Sequence, residues 1–350
     1  MRRLHSVRNS VPQMRISSST ASWINSPHKR AQSKSKHMEP VNEFELIRRY
    51  FRRHTDAPAS VVVGVGDDAA VIAHTPGCET VVSVDSVIAG RHVPLICSGE
   101  GFAQRLLARG VSDLAAMGAT PRYLLLSLTL PNFDSGWVDP FAERFHQLAV
   151  QWGLHLIGGD TTRGPLSAQV TVIGELPAGS ALRRGGARAG DVVWMVGEPL
   201  GGARAYLDVL DGSVPDHPVW SARYWHPNPL IAEGQALREQ ATACIDVSDG
   251  LCQDLMHVLE AAFEPLVAEL YTDAVPIAAD VIDVFGAKRA LEYALTGGDE
   301  YCLLCTLPAG VTPAVPAEAI GELVTAETAD LQLDGEALPS DWQLGWDHSR

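Results

Sequence analysis

The sequence predicts a two-domain protein of the α/β or α+β class. Three observations carry that expectation. The length of 350 residues suits about two domains. Strand-like and helix-like segments mix in both halves. A Gly/Pro-rich junction, Pro177-Ala178-Gly179, with the basic turn Arg183-Arg184-Gly185-Gly186 behind it, separates the halves. The expected division is a basic leader over 1–38, a first domain over 39–178 and a second over 179–350.

In chain order, Asn42 and Glu45 form a capping box ahead of a helix whose apolar face is Phe44, Ile47, Tyr50 and Phe51. Short buried strands are expected at 61–65 and 80–84. The spacing of Phe102, Leu106, Leu107, Val111 and Leu114 predicts a helix over 101–117, stopped by Gly118. A strand over 123–130 ends at Pro131, and a helix over 135–152 ends at Gly153. Further strands are expected at 155–157 and 168–175. In the second half, strands are expected at 192–196, 243–246 and 301–307, with helices at 203–210, 230–240, 251–262 and 287–295. Residues 212–229, with Pro215, Pro218, Pro227 and Pro229, read as a loop.

The formal net charge is −15. Residues 1–37 hold eight Lys or Arg and no acid; setting those eight aside leaves 19 basic against 42 acidic residues. Such a body is unsuited to sequence-independent nucleic-acid binding, which needs a Lys/Arg surface. If its substrates are phosphates, divalent cations must supply the missing positive charge. The acid-free leader has the composition of a transit peptide, of a disordered tail, or of residues ahead of a true start at Met38. No apolar run approaches a membrane span of about 18–20 residues. The six cysteines are scattered, and Cys302-Leu303-Leu304-Cys305 lacks a second pair to complete a zinc site, so reduced thiols in the cytoplasm are expected.

Carboxylates beside glycine or small residues recur along the chain. They are Gly66-Asp67-Asp68, Ser83-Val84-Asp85, Ser112-Asp113, Gly158-Gly159-Asp160, Asp246-Val247-Ser248-Asp249-Gly250 and Gly297-Gly298-Asp299-Glu300. Any one of them alone reads as a turn or helix cap. Asp113 is the exception, because it interrupts an apolar helix where an unpaired carboxylate is costly. As a set they predict aspartates converging on cations, and oxygen donors without His or Cys favour Mg²⁺ over zinc. The common phosphate-loop and dinucleotide signatures are missing. Asp246 to Gly250 superficially resembles a calcium loop, but His257 stands where an EF-hand needs glutamate. His92 reads equally as a surface histidine or as part of a loop returning to the pocket of Asp85.

Together, Gly66-Asp67-Asp68-Ala69, Asp85…Ala89-Gly90-Arg91-His92, Ser112-Asp113-Leu114-Ala115-Ala116-Met117-Gly118-Ala119, Gly158-Gly159-Asp160-Thr161-Thr162-Arg163-Gly164 and Asp246-Val247-Ser248-Asp249-Gly250-Leu251 resemble the thiamine-monophosphate kinase family. The resemblance runs from about Glu43 to Trp346. Some of the motifs are shared with aminoimidazole ribotide synthetase and selenophosphate synthetase, but no cysteine in a glycine-rich loop precedes Asp67, as the latter would need. The resemblance implies the two-domain aminoimidazole ribotide synthetase-like fold, with the first domain forming a barrel across a homodimer. It implies transfer of phosphate from ATP to thiamine monophosphate with several Mg²⁺ ions.

Position by position, it implies metal ligands at Asp68, Ser83, Val84, Asp85, Asp113, Asp160, Asp246 and Asp249. Asp85, Asp160 and Asp249 are the implied catalytic residues among them. ATP contacts are implied at Gly159, Asp160, Arg184 and Ser248, and thiamine phosphate contacts at His92, Asp299 and Trp346. Val84 replaces a commoner threonine, which leaves only its carbonyl as a ligand. Asp299-Glu300 inverts the usual Glu-Asp order, so either acid is a candidate contact, and Trp346 stands where tyrosine is common. Two unit charges about 4 Å apart repel by roughly 4 kcal/mol at an effective dielectric near 20. Two polyanions therefore need cations to meet, with Arg91, Arg163 and Arg184 as the main protein candidates.

Overall fold

The structure, a computed structural model, describes residues 43–51 and 57–346. The expected leader, the Asn42 cap and the possible start at Met38 lie outside the described residues. The described residues all belong to one compact unit.

A short helix α1 (Glu43–Leu46) runs into a wider turn at Ile47–Phe51 that buries Tyr50 and Phe51. Strands β1 (Val61–Val63) and β2 (Val71–Ile72) form a small antiparallel pair. Then follow β3 (Cys78–Ile88), α2 (Gly99–Ala116), β4 (Thr120–Leu130), α3 (Ser135–Gln151), β5 (His155–Arg163) and β6 (Ser167–Pro177). Their sheet has the order β3-β6-β4-β5, with β4 and β5 parallel across the α3 crossover and the other pairs antiparallel.

The second half contains β7 (Asp191–Val196), α4 (Gly202–Leu210), α5 (Pro218–Trp225), α6 (Ile231–Leu237), β8 (Ala243–Asp246) and α7 (Leu251–Ala261). It continues with β9 (Leu266–Leu270), α8 (Ala279–Phe285), α9 (Ala287–Thr296), β10 (Leu303–Pro308), β11 (Glu318–Thr325), β12 (Asp330–Leu333) and β13 (Glu336–Ala337). Its sheet runs β13-β12-β9-β11-β7-β10-β8, antiparallel except for β9 against β12. The mixed α/β class expected from the sequence is the class observed.

Helix α2 is the element between the sheets. Ser98 caps it by accepting from the Gly101 amide at 3.1 Å. Its stop is a Schellman motif: Gly118 at φ +69° donates to the Ala115 carbonyl, and Ala119 donates to that of Leu114. Phe102, Leu106, Leu107 and Val111 enter the core of the first sheet, while Ala115 and Ala116 pack with Leu237 of α6 and with Cys244 and Leu303 of the second sheet. Residues on its two sides therefore face different sheets.

Two expectations are corrected. Asp85 and the run Gly158–Arg163 lie within strands β3 and β5, not in loops at strand ends. The loop expected over 212–229 contains α5, which starts on Pro218, where a missing N–H costs nothing, and buries Trp220 and Tyr224.

Gly158 and Gly159 permit β5 to lie tightly against β4. A Cβ on Gly159 would stand 1.9 Å from the Leu126 carbonyl oxygen. Gly159→Ala should accordingly lower stability by about 2 kcal/mol or more through forced backbone displacement, read as a drop in the urea midpoint.

Candidate active site

Three residues on one ridge of α2, Arg105, Arg109 and Asp113, recur at helical i, i+4 and i+8 spacing. Ser83 on β3 hydrogen-bonds the Asp113 carboxylate. Two residues along the same face of β3, Asp85 accepts from Arg109 Nε at 3.0 Å. Ser112, turned toward the second sheet, donates its hydroxyl to Asp246 Oδ2 at 2.7 Å at the end of β8. One turn of α2 thus joins acids from both sheets.

Burial raises the Asp113 carboxyl above its ordinary range, and the neighbouring Asp85 charge adds to this, while Ser83, Arg184 and Arg109 oppose it. Asp246 is raised for the same reasons: burial first, then the negative charge of Asp113. Arg184, exposed in the turn Arg184–Gly186, favours the charged form of both. Buried acids that repel one another and have limited basic compensation form a donor set suited to a divalent cation.

Beside this group lies Asp299. Arg105 Nη2 stands 2.8 Å and Arg109 Nη1 3.7 Å from its Oδ1, and the Tyr301 hydroxyl donates to that oxygen at 2.8 Å. Burial pushes the Asp299 carboxyl up, but the two guanidiniums outweigh it and hold it below the ordinary range. Asp299 and Tyr301 both adopt positive φ, +65° and +51°. The tyrosine is the more strained of the two, since aspartate tolerates that region better.

Glu300 turns the other way. Its Oε1 accepts from the Gly201 amide at 2.8 Å and the Ala203 amide at 3.2 Å, at the start of α4. Of the two acids left open by the inverted order, Asp299 is the one beside the arginine ridge.

Burial pushes Glu300 from an ordinary 4.5 up to about 7. The folded protein keeps this proton up to about pH 7, the unfolded chain only to about 4.5. Stability therefore falls as pH rises through that window and levels off above it. Glu300→Gln keeps the accepting oxygen. It should flatten this slope and add about 2 kcal/mol at pH 8, measured by urea unfolding across pH 4–9.

The loop after β3 meets the C-terminal segment here. The Arg91 guanidinium lies over the Trp346 ring at 5.1 Å. Trp346 donates its amide to the Asp249 carbonyl at 3.0 Å, and Gln253 Nε2 donates to the Trp346 carbonyl. His92 accepts from the Ile88 amide through Nδ1, and its carbonyl accepts from Tyr224 Oη and Arg105 Nη2. Arg105 thereby ties the His92 backbone to Asp299. The amides of Ser248, Asp249 and Gly250 all donate to Asp254 Oδ2, at 2.9, 3.0 and 3.1 Å.

Asp160 and Asp68 do not join this group. The strand register runs Asp85, Val170, Leu126, Gly159 on the helix-covered face. Asp160 falls in the next row, Ser86, Gln169, Ser127, Asp160, on the opposite, open face. The Val84 side chain shares that open face, and Asp68 is exposed in the loop after β1. Asp160 with Gly159 borders a small cavity that also touches Val65 and Phe51. Next to it, a cavity of about 850 Å³ opens between α3 and β5, lined by Glu143, Gln147, Leu154 and Leu156 among others. Arg163 lies over Phe133, at the far end of β5.

Residues 66–176 match the family of AIR synthase related proteins, N-terminal domain. Thiamine-monophosphate kinase of Salmonella typhimurium is 38% identical over 322 residues, covering 87% of this chain and 98% of that protein. The chain belongs to the thiamine-monophosphate kinase family. A crystal structure of thiamine-monophosphate kinase from Stenotrophomonas maltophilia superposes with a TM-score of 0.74 at 33% identity, covering 84% of this chain and 96% of that one. AaThiL complexed with AMPPCP and TMP superposes at 0.71 with 25% identity, covering 90% and 100%.

For a member of this kinase family, two residues that the structure sets at the centre were not singled out from the sequence, Arg105 and Arg109, while Ser112 entered only as the neighbour of Asp113. Their signal was available. Two arginines spaced i and i+4 from each other, with Asp113 four further on, share a helix most of whose other positions are apolar or small. Arg105 is completely buried, so it cannot be one of a solvated row.

Proposed function

We propose that this chain transfers the γ-phosphoryl group of ATP to thiamine monophosphate, forming thiamine diphosphate and ADP. Membership of the kinase family supports the reaction. The observation that carries the site is the meeting of Asp85, Asp113 and Asp246 beside Asp299, His92 and Trp346. An acceptor phosphate oxygen forms the bond to the γ-phosphorus, the bond to the bridging oxygen of ADP breaks, and that oxygen leaves with the electron pair. The acceptor phosphate is ionised near neutral pH, so no general base is required.

Asp85, Asp113, Asp246 and Asp249, with Ser83, would hold Mg²⁺, which when bound neutralises phosphate charge and aligns the reacting oxygens. Arg184, whose charge is felt by Asp113 and Asp246, and Ser248 would meet nucleotide phosphates. The larger cavity between α3 and β5, next to the small one that Gly159 and Asp160 border, has room for a nucleoside. Asp299 and the face of Trp346 suit the cationic thiazolium ring.

The open face of the first sheet supports a homodimer: Val82, Val84 and Ile88 on β3 stand exposed there. A second copy on that face would enclose the row ending at Asp160 and close a barrel. The division near 178/179 fits the separate cores of the two sheets. No helix among the described residues is long and apolar enough to cross a membrane, and the free cysteines suit a reducing cytoplasm.

The test incubates the chain with ATP, Mg²⁺ and thiamine monophosphate. Stoichiometric thiamine diphosphate and ADP are expected, without a phosphorylated protein after a pulse of labelled ATP. ADP formation independent of the acceptor would sink the assignment; a trapped phospho-protein would refute direct transfer.

A further inference from the structure

Arg109 stands between the two halves of the proposed site. Its Nε bonds Asp85, among the metal-facing acids, and its Nη1 reaches Asp299, at the end where Trp346 and His92 gather. The side chain is 14% exposed, so this one guanidinium is both enclosed and within reach of a bound ligand.

The local charges decide what Asp299 can do. Arg105 and Arg109 together balance Asp85 and Asp299. A carboxylate shared by two guanidiniums has little attraction left for a third cation. A cationic ring arriving alone would meet this compensated group, with the Arg91 guanidinium already over Trp346. A ring that carries a phosphate brings its own partner for arginine. The phosphate dianion offers more charge than a shared carboxylate and a geometry that matches the guanidinium fork. Once Arg109 turns to it, the charge on Asp299 is no longer doubly balanced. The contacts from Arg105, Arg109 and Tyr301 all fall on Oδ1 and none on Oδ2, and the side chain is partly exposed.

We propose that Arg109 determines specificity for the phosphorylated acceptor. The acceptor's phosphate draws the Arg109 guanidinium away from Asp299, and Asp299 then has charge to give to the cationic ring. This rests on Asp299 being the acidic contact of that ring.

Calorimetric titration of the full chain with thiamine and with thiamine monophosphate tests it. Arg109→Gln should weaken thiamine monophosphate about tenfold or more and tighten thiamine about threefold, changes of opposite sign that a structural defect does not produce. Equal weakening of both ligands, or no change in either, overturns the proposal. Should Arg109→Gln not fold, Arg109→Lys serves. It keeps the charge without the fork, and should weaken thiamine monophosphate about fivefold and leave thiamine unweakened; uniform weakening again overturns it. Asp299→Asn should weaken both ligands. If it changes neither, the ring contact lies elsewhere, and the underlying reading of Asp299 falls together with the proposal. If it weakens both while Arg109→Gln acts uniformly, only the role of Arg109 is lost.

Discussion

Asp113→Asn is expected to lower kcat for thiamine diphosphate formation by about a thousandfold, with the melting temperature unchanged or raised. Asparagine has the same shape and can still accept from Ser83, so the helix and its packing against β3 survive. Lost is one negative charge on the turn of α2 that meets acids of both sheets, Asp85 through Arg109 and Asp246 through Ser112. Burial and Asp85 already disfavour that charge, so its removal relieves repulsion in the unliganded fold. Activity and stability should therefore move in opposite directions. A raised carboxyl is protonated more readily than an ordinary one, so protons compete with metal for it and the Mg²⁺ concentration for half-maximal rate should climb as pH falls. A variant with near wild-type kcat would remove Asp113 from the metal-binding set.

Arg105→Met should destabilise the fold by about 3–5 kcal/mol in urea unfolding. Arg105 is completely buried, pairs with Asp299, donates to the Tyr224 carbonyl at 2.6 Å and lies 4.0 Å over the Tyr224 ring. Methionine fills much of the volume but leaves Asp299 short of a partner and the carbonyls of Tyr224 and His92 short of a donor. The buried Nε has no hydrogen-bond partner among the described residues, which limits how much the wild-type network stabilises. Replacing the acid as well, in Arg105→Met with Asp299→Leu, should recover part of the loss. A single-variant change below about 1 kcal/mol would show that the network adds little to stability.

Elements whose pattern is local were readable in advance. The stops at Gly118 and Gly153 depend on a backbone conformation that glycine adopts readily, and both lie at positive φ. Strand β9 and its neighbour β11 were hidden because Glu269 and Glu322 face each other across the ladder and interrupt the apolar run. Gly158-Gly159-Asp160 reads as a turn until the neighbouring backbone of Leu126 is seen to exclude a side chain at Gly159. The aspartates of the candidate site could be named from the sequence, since their flanking glycines and serines are local features. Which of them share a face could not, because strand pairing separates Asp85 from Asp160 by a single row. The arginines were obscured by chemistry: an arginine in a helix is usually solvated, and only the tertiary fold commits Arg105 and Arg109 to acids far along the chain.

The three amides gathered on Asp254 have a consequence for how tightly a ligand can be held. The peptide planes from Ser248 to Gly250 are clamped by an internal anion, and Trp346 is fastened to the same turn through the Asp249 carbonyl. A ligand that meets Ser248 and Asp249 finds their shape already set. Little of its affinity is then spent on quietening a wandering loop, and more can appear as grip on the reacting groups.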